Sequence, residues 1–218
     1  MMTPTPIYTR VYNAPCIRYD EIRRYAGVRG ACEEIEPILQ SEVDNIANKL
    51  TYKVCYREFP VTDHGTNLDL GFIKTTSADL RRALLGCESI VLFAATVGMS
   101  IDRRIARYTA VSPTRALVLQ AIGAERIESL CDRFCREIAE QKAAEGRRTR
   151  PRFSPGYGDL PLLVQTDIFA VLDPSRKIGL SLNESLLMSP SKSVTALIGV
   201  SGKEGASMEG SLGPSADI

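Results

Sequence analysis

The chain has a single histidine, His64, so no centre built from several imidazoles can form. That residue sits in the polar run Thr62-Asp63-His64-Gly65-Thr66-Asn67, which reads as a solvated turn. No Gly-x-Gly-x-x-Gly and no Walker-type loop is present, which removes the usual phosphate cradles. Gly-x-Ser-x-Gly is absent too, and with it the conventional hydrolase nucleophile. The six cysteines, at 16, 32, 55, 87, 131 and 135, include no Cys-x-x-Cys pair. They read as reduced, mostly buried thiols of a cytosolic protein, not as a disulfide framework. Cys131 and Cys135 fall four apart on one helix face, the spacing of a metal or redox pair. Cys131 continues an apolar stripe and no further ligands cluster nearby, so buried thiols are the favoured reading. Glu33 and Glu34 enter a helix, where acids serve its dipole. A net charge of +1 supplies no global drive toward nucleic acid or acidic membranes. No apolar run is long enough to span a bilayer, and the start, Met1-Met2-Thr3-Pro4-Thr5-Pro6, lacks a signal-peptide core. The chain therefore reads as cytoplasmic, without nucleic-acid or membrane partners. These absences favour binding over stand-alone chemistry.

What is present is enough for a folded core: 218 residues, 44% hydrophobic and 24% charged. Residues 1–16 are punctuated by proline and read as extended or loosely attached. A short helix over Ile17–Tyr25 closes at Gly27, and a second runs from about Cys32 to Leu50 with Pro37 in its first turns. Tyr52–Phe59 alternates as a half-exposed strand, with Tyr52, Val54, Tyr56 and Glu58 on one side, and Leu68–Ile73 is expected to pair with it antiparallel. Ser77 caps a helix ending at Gly86. Ile90–Gly98 is continuously apolar, as in a strand buried on both faces. A helix around Ile101, Ile105 and Tyr108 follows. Ser112-Pro113 then starts the longest element, a helix to about Glu145 spanning about 50 Å, with Leu117, Gln120, Ala124, Ile127, Cys131, Phe134 and Ile138 as its stripe. Val164–Leu172 is helical, Gly179-Leu180 is a tight turn, and Val194–Val200 is a last apolar strand. The fold class is α+β, helices packed around a twisted antiparallel sheet. One domain is expected over residues 1–200, and the tail over 201–218 cannot bury enough apolar surface to order itself.

One stretch concentrates unusual residues: Arg150-Pro151-Arg152-Phe153-Ser154-Pro155-Gly156-Tyr157-Gly158-Asp159-Leu160-Pro161. Its prolines lack amide donors, so neither a helix nor a central strand can run through it. A stiff loop holding a guanidinium and a phenol suits a small zwitterionic or anionic ligand. A plain turn with a solvated arginine is the open alternative. The basic run Arg147-Arg148-Thr149-Arg150-Pro151-Arg152 reads as a solvated helix exit.

The order of these pieces resembles the activation (reactivation) domain of cobalamin-dependent methionine synthase. Arg-Pro-x-x-x-Pro-Gly-Tyr resembles that family's Arg-Pro-x-Pro-Gly-Tyr, and the best register places Arg152, four before Gly156, at its arginine. Leu182-Asn183-Glu184-Ser185-Leu186-Leu187-Met188-Ser189-Pro190-Ser191-Lys192-Ser193-Val194 resembles the family's Leu-Thr-Glu-Ser-x-x-Met-x-Pro-x-x-Ser-Val. Ile90–Glu137 follows the same order more loosely, and residues 1–86 match only loosely.

The resemblance implies an accessory protein without catalytic residues of its own, working within the methionine synthase (methyltransferase) system of methionine biosynthesis. In that family the cobalt cofactor occasionally oxidises to an inactive cob(II)alamin. The domain then presents S-adenosylmethionine, and a flavodoxin-type donor supplies the electron that allows remethylation. Cobalamin would enter only through a partner module. Carried over, Arg152 would hold the ligand carboxylate, and Ser154 and Gly156 would contact it in the loop, Ser154 mainly through its backbone. Tyr157 would face the methyl group, and Glu184 and Ser193 would shape the second motif. Two family contacts have no counterpart: Gly27 stands near the place of an aspartate that meets the ligand ammonium, and no tyrosine follows Val200. A docking module on a corrinoid protein, with a decayed ligand site, is the alternative that these departures favour. A methyltransferase acting directly on a small substrate is a third reading, weakened by the missing glycine-rich loop.

Overall fold

The computed structural model describes residues 6–28 and 33–202. Strand β1 (Tyr8–Tyr12) is followed by helices α1 (Tyr19–Tyr25) and α2 (Glu36–Ile46), then strand β2 (Tyr52–Pro60). Three two-residue strands, β3 (Thr62–Asp63), β4 (Leu68–Asp69) and β5 (Lys74–Thr75), lead into α3 (Ala78–Ala83). Next come β6 (Cys87–Thr96), α4 (Ser100–Thr109) and the 32-residue α5 (Pro113–Ala144). The described residues end with β7 (Thr149–Phe153), α6 (Val164–Leu172), α7 (Pro174–Ile178), the hairpin strands β8 (Ser181–Leu182) and β9 (Met188–Ser189), and β10 (Ser193–Ser201).

Five antiparallel strands form the sheet in the order β1-β2-β6-β10-β7. The apolar run of β6 is buried on both faces: Val91, Phe93 and Ala95 enter one core, and Ile90, Leu92 and Ala94 the other. Helices α1, α2, α4 and α5 cover the first face, and α3, α6 and α7 the second. Fully burying a side chain of this size contributes about 1.5–3 kcal/mol, so a strand with two buried faces anchors both layers.

Several expectations need correction. Of the two readings of the segment before residue 16, the extended one holds over its described part: Tyr8–Tyr12 pairs in register with Tyr52–Tyr56 as an edge strand. Strand β2 is not half-exposed, because it lies between β1 and β6 and its second side buries Cys55 and Phe59. Leu68–Ile73 does not pair with it, since both neighbours of β2 are taken. Leu68 and Asp69 instead join a small sheet with Thr62–Asp63 and Lys74–Thr75. On α5, Leu117 is 47% exposed and Gln120 faces outward. The helix is sandwiched between the sheet and α1, α2 and α4, so it buries more than one stripe, including Val118, Leu119, Ile122 and Leu130. Of the thiols, Cys55 and Cys131 are buried and Cys16 is exposed, while Cys32 lies outside the described residues. Ser201 closes β10, its amide donating to the Arg148 carbonyl at 2.8 Å, and the remaining tail from residue 203 lies outside the described residues.

The start signals act as expected. The Ser77 hydroxyl accepts from the Leu80 amide at 3.0 Å and caps α3. Pro113 stands in the first turn of α5. Glu42, fully buried on α2, receives Arg104 at 2.5 Å and Arg115 at 2.6 Å, which ties α2, α4 and α5 together. Burial alone would raise its pKa, but the two arginine hydrogen bonds outweigh it and hold the carboxyl low. Among the described residues no helix is long and apolar enough to cross a membrane.

Candidate ligand cleft at the outer edge of the sheet

The stretch expected to be an irregular loop begins as β7, an edge strand. Pro151 is tolerated there because one side of an edge strand has no ladder partner. Among the described residues only β10 pairs with it, and the pairing is bulged. Arg152 stands opposite Ile198 and Thr149 opposite Val200, so three steps on β7 match two on β10. An extra residue reverses the alternation of side chains beyond it. Arg152 shares the face of Ile198 with α5, where its guanidinium meets Glu128 and also Asp132 at 3.3 Å. Arg150 is on the α3 face. Its Nη2 donates to the Leu85 carbonyl at 2.9 Å, and its Cβ lies beside Gly199. A Cβ on Gly199 would come within 2.7 Å of both Leu84 and Cys87, so only glycine lets α3 approach the bulge.

Past Phe153 the chain turns tightly. Gly156, at φ +85, takes a left-handed conformation and its amide donates to the Leu160 carbonyl at 2.9 Å. The Tyr157 amide donates to the Ser154 carbonyl at 3.2 Å. The ring of Tyr157 meets Phe153 edge-on at 5.4 Å between centroids, yet the residue is 70% exposed. An open cleft of about 520 Å³ lies here, walled by Arg82, Arg150, Arg152, Phe153, Ser154 and Tyr157. A volume of this order is within the range of small-molecule sites.

Asp159 fixes the turn from behind. Its carboxylate accepts from the Ser77 hydroxyl and from the amides of Ala78 at 2.6 Å and Asp79 at 3.2 Å. The Ser77 hydrogen bond, helped by those amides against the cost of burial, holds the Asp159 carboxyl below its usual range. A depressed pKa contributes stability that is present above the unfolded value and is lost as pH falls through the folded one. Asp159→Asn is therefore expected to lower the thermal midpoint at neutral pH. The gap to the wild type should close in acid, below the folded pKa. Parallel melting curves across that range check this; a gap independent of pH would remove the carboxylate from the account.

The sequence-predicted residues divide. Arg152, Ser154, Gly156 and Tyr157 all belong to β7 and its turn, and Arg152, Ser154 and Tyr157 wall the cleft. Glu184 is exposed at the tip of the β8–β9 hairpin, where the Asn183 side chain accepts from the Leu187 amide at 2.9 Å. Ser193 is buried and bridges the Thr96 hydroxyl and the Pro190 carbonyl, both at 2.8 Å. It shapes the start of β10 and does not wall the cleft. Asp20 and Glu21, the acids nearest Gly27 on α1, are paired with Arg23 and Arg24. Cys131 is in the core and burial pushes its thiol up; the same cause raises Cys135. Reasoning from sequence missed Arg150, Arg82 and Asp159. The Arg150-Pro151 dipeptide was a signal for the first, whereas Asp159 meets partners about eighty residues away that no local pattern announces.

No protein-family model matches the chain, and no curated protein is significantly similar to it. Among solved structures, the crystal structure of the MetH reactivation domain bound to AdoHcy is similar, with a TM-score of 0.63 and 15% identity. The match covers 90% of this chain and 78% of that one. The two share a fold. At this identity the likeness extends to the antiparallel sheet with its packed helices and no further.

Proposed function

We propose that this chain binds S-adenosylmethionine in the β7 cleft and serves as an accessory protein in the reductive reactivation of a cobalamin-dependent methionine synthase. The observation that carries the reading is a coincidence. The turn singled out by its resemblance to the activation-domain loop walls an open cleft, in a fold shared with a domain solved with AdoHcy bound. The chemistry agrees. The exposed Tyr157 ring offers a π-face to a sulfonium. The guanidinium groups at the cleft suit a carboxylate, and the stiff Ser154–Gly156 backbone presents fixed polar groups. The partner's cobalamin would accept the methyl group after one-electron reduction by a flavodoxin-type donor. This chain's share is to hold and orient the methyl donor.

One observation favours a second reading, a docking module whose ligand site has decayed. The Arg152 guanidinium is already engaged by Glu128 and Asp132. Calorimetry separates the two. The wild type is expected to bind S-adenosylmethionine at micromolar affinity. Tyr157→Ala, which removes an exposed ring without disturbing the core, should weaken it about tenfold. Wild-type protein that binds no S-adenosylmethionine but captures a corrinoid protein would establish the docking module. In an activity assay, a cob(II)alamin-loaded partner with reductant and S-adenosylmethionine should recover only when this chain is added; equal recovery without it would refute the accessory role.

A further inference from the structure

We propose that a second cleft, at the edge of the sheet opposite β7, binds a free α-amino acid. Three side chains of β1 face three from the end of α5 and its cap. Alternate strand residues lie about 6.8 Å apart and residues four apart on a helix about 6 Å. Tyr12, Arg10 and Tyr8 therefore keep step with Glu137, Gln141 and Glu145, like the rungs of a ladder. The first rung is closed, since the Tyr12 hydroxyl donates to Glu137 at 2.6 Å. The second is nearly closed: Arg10 pairs with Glu137, and its Nη2 reaches Gln141 Oε1 at 3.4 Å. The third is open. Tyr8 stacks on Tyr56 at 5.4 Å between centroids, is half-exposed, and among the described residues its hydroxyl makes no hydrogen bond. Glu145 turns away to Lys142 at 3.3 Å. A cleft of about 430 Å³ occupies the opening, walled by Tyr8, Arg10, Glu58, Gln141, Lys142 and Glu145.

Charge fixes the class of ligand. The wall carries two carboxylates, Glu58 and Glu145, and two cations, Arg10 and Lys142. A ligand of one sign meets as much repulsion as attraction there, whereas a zwitterion satisfies both. Lys142 is more than nine-tenths buried, and two of its three donors go to Glu58 at 2.9 Å and Glu145 at 3.3 Å. The third has no acceptor among the described residues, and a buried donor left unpaired is costly. A ligand carboxylate supplies that acceptor, with the Gln141 amide and Arg10 beside it. Glu58 cannot swing out to take its place. It accepts from Ser89 at 2.6 Å and from Arg147 at 3.3 Å, and it keeps Lys142 aimed. Burial opposes the Glu58 charge, but Ser89, Lys142 and Arg147 outweigh it and hold the carboxyl low. The ligand ammonium goes to Glu145, half-exposed at the C-terminal end of α5, where the helix dipole favours positive charge. The Tyr8 ring offers its face to the ammonium or to an apolar side chain.

The experiment screens the twenty protein L-α-amino acids against the full chain by saturation-transfer NMR. The tightest binder then goes to calorimetry beside its decarboxylated amine and its deaminated acid. The expected dissociation constant is below about 1 mM, with a loss of about tenfold when either charged group of the ligand is removed. Glu145→Gln should weaken the amino acid about tenfold and should not weaken the deaminated acid. Should that variant fail to melt cooperatively, Tyr8→Ala replaces it, with an expected loss of about tenfold for the amino acid. Tyr157→Ala, at the other edge of the sheet, should bind the amino acid as the wild type does. No binder in the panel, analogues that bind as well as the amino acid, or wild-type affinity in Glu145→Gln each overturns the proposal. Binding lost in Tyr157→Ala would place the amino acid in the β7 cleft and overturn it too. None of these outcomes depends on whether the β7 cleft takes S-adenosylmethionine.

Discussion

Replacing Phe134 with alanine is expected to destabilise the protein by about 3–5 kcal/mol. Phe134 is fully buried on α5, where its ring meets Phe93 of β6 at 4.9 Å and Tyr56 of β2 at 5.2 Å. Tyr56 in turn stacks on Tyr8 of the edge strand β1 at 5.4 Å. One ring thus couples the long helix to two central strands and, through Tyr56, to the edge. Truncation to alanine removes the transfer energy of the ring and leaves a cavity that a 32-residue helix, fixed on both sides, cannot collapse to fill. The aromatic pairing adds about 0.5–1.5 kcal/mol beyond area. Phe134→Leu keeps most of the volume and should cost markedly less. Chemical denaturation of the three proteins measures the difference. A cost below about 1 kcal/mol for the alanine variant would mean that α5 moves onto the sheet, against the rigid packing described here.

How much of this was readable beforehand follows from the range of the interactions. The β6 run, the Ser77 cap, the Ser112-Pro113 start and the Gly156 turn are written in a few adjacent residues, and each was legible. The edges of the sheet were not. Tyr8–Tyr12 and Thr149–Phe153 carry too little apolar pattern to announce a strand, and each is held by a partner forty or more residues away. Leu68–Ile73 had a strand pattern but no vacancy beside β2. The cleft was legible as a segment and illegible as a surface. The motif pointed to a turn that walls a cleft, while a one-residue bulge beside Gly199 places the Arg152 guanidinium toward α5 and the Arg150 guanidinium toward Leu85. Alternation rules cannot anticipate such a shift, because the extra residue is visible only once β10 is laid beside β7.

Arg126→Ala is expected to cost about 3–5 kcal/mol, the range for breaking a buried ion pair from one side. Glu125 and Arg126 are sequence neighbours on α5 and both are buried, joined by Nε to Oε2 at 2.5 Å and Nη2 to Oε1 at 2.6 Å. Arg126 also donates to the carbonyls of Pro15 at 2.6 Å and Cys16 at 2.8 Å, while Ser129 donates to Glu125 at 2.6 Å. Burial opposes the Arg126 charge, but the hydrogen bonds and charge of Glu125 outweigh it and keep the guanidinium ionised. Alanine there strands a buried carboxylate and frees two carbonyls of the segment that leads into α1. Replacing both partners with uncharged side chains of similar volume, Glu125→Gln with Arg126→Met, should restore a substantial part of the loss, since the desolvation cost of both charges disappears. A double-mutant cycle by denaturation tests this. The network also reaches toward the cleft: Arg18 contacts Glu125 at 3.5 Å and Asp132 at 3.2 Å, and Asp132 contacts Arg152 at 3.3 Å. Loosening the 13–18 segment should therefore raise hydrogen exchange at the Arg18 amide, which donates to Glu125, while the Tyr157 turn, held by Asp159 from the α3 side, keeps its protection. If both regions exchanged faster together, the two faces of β7 would be one cooperative unit.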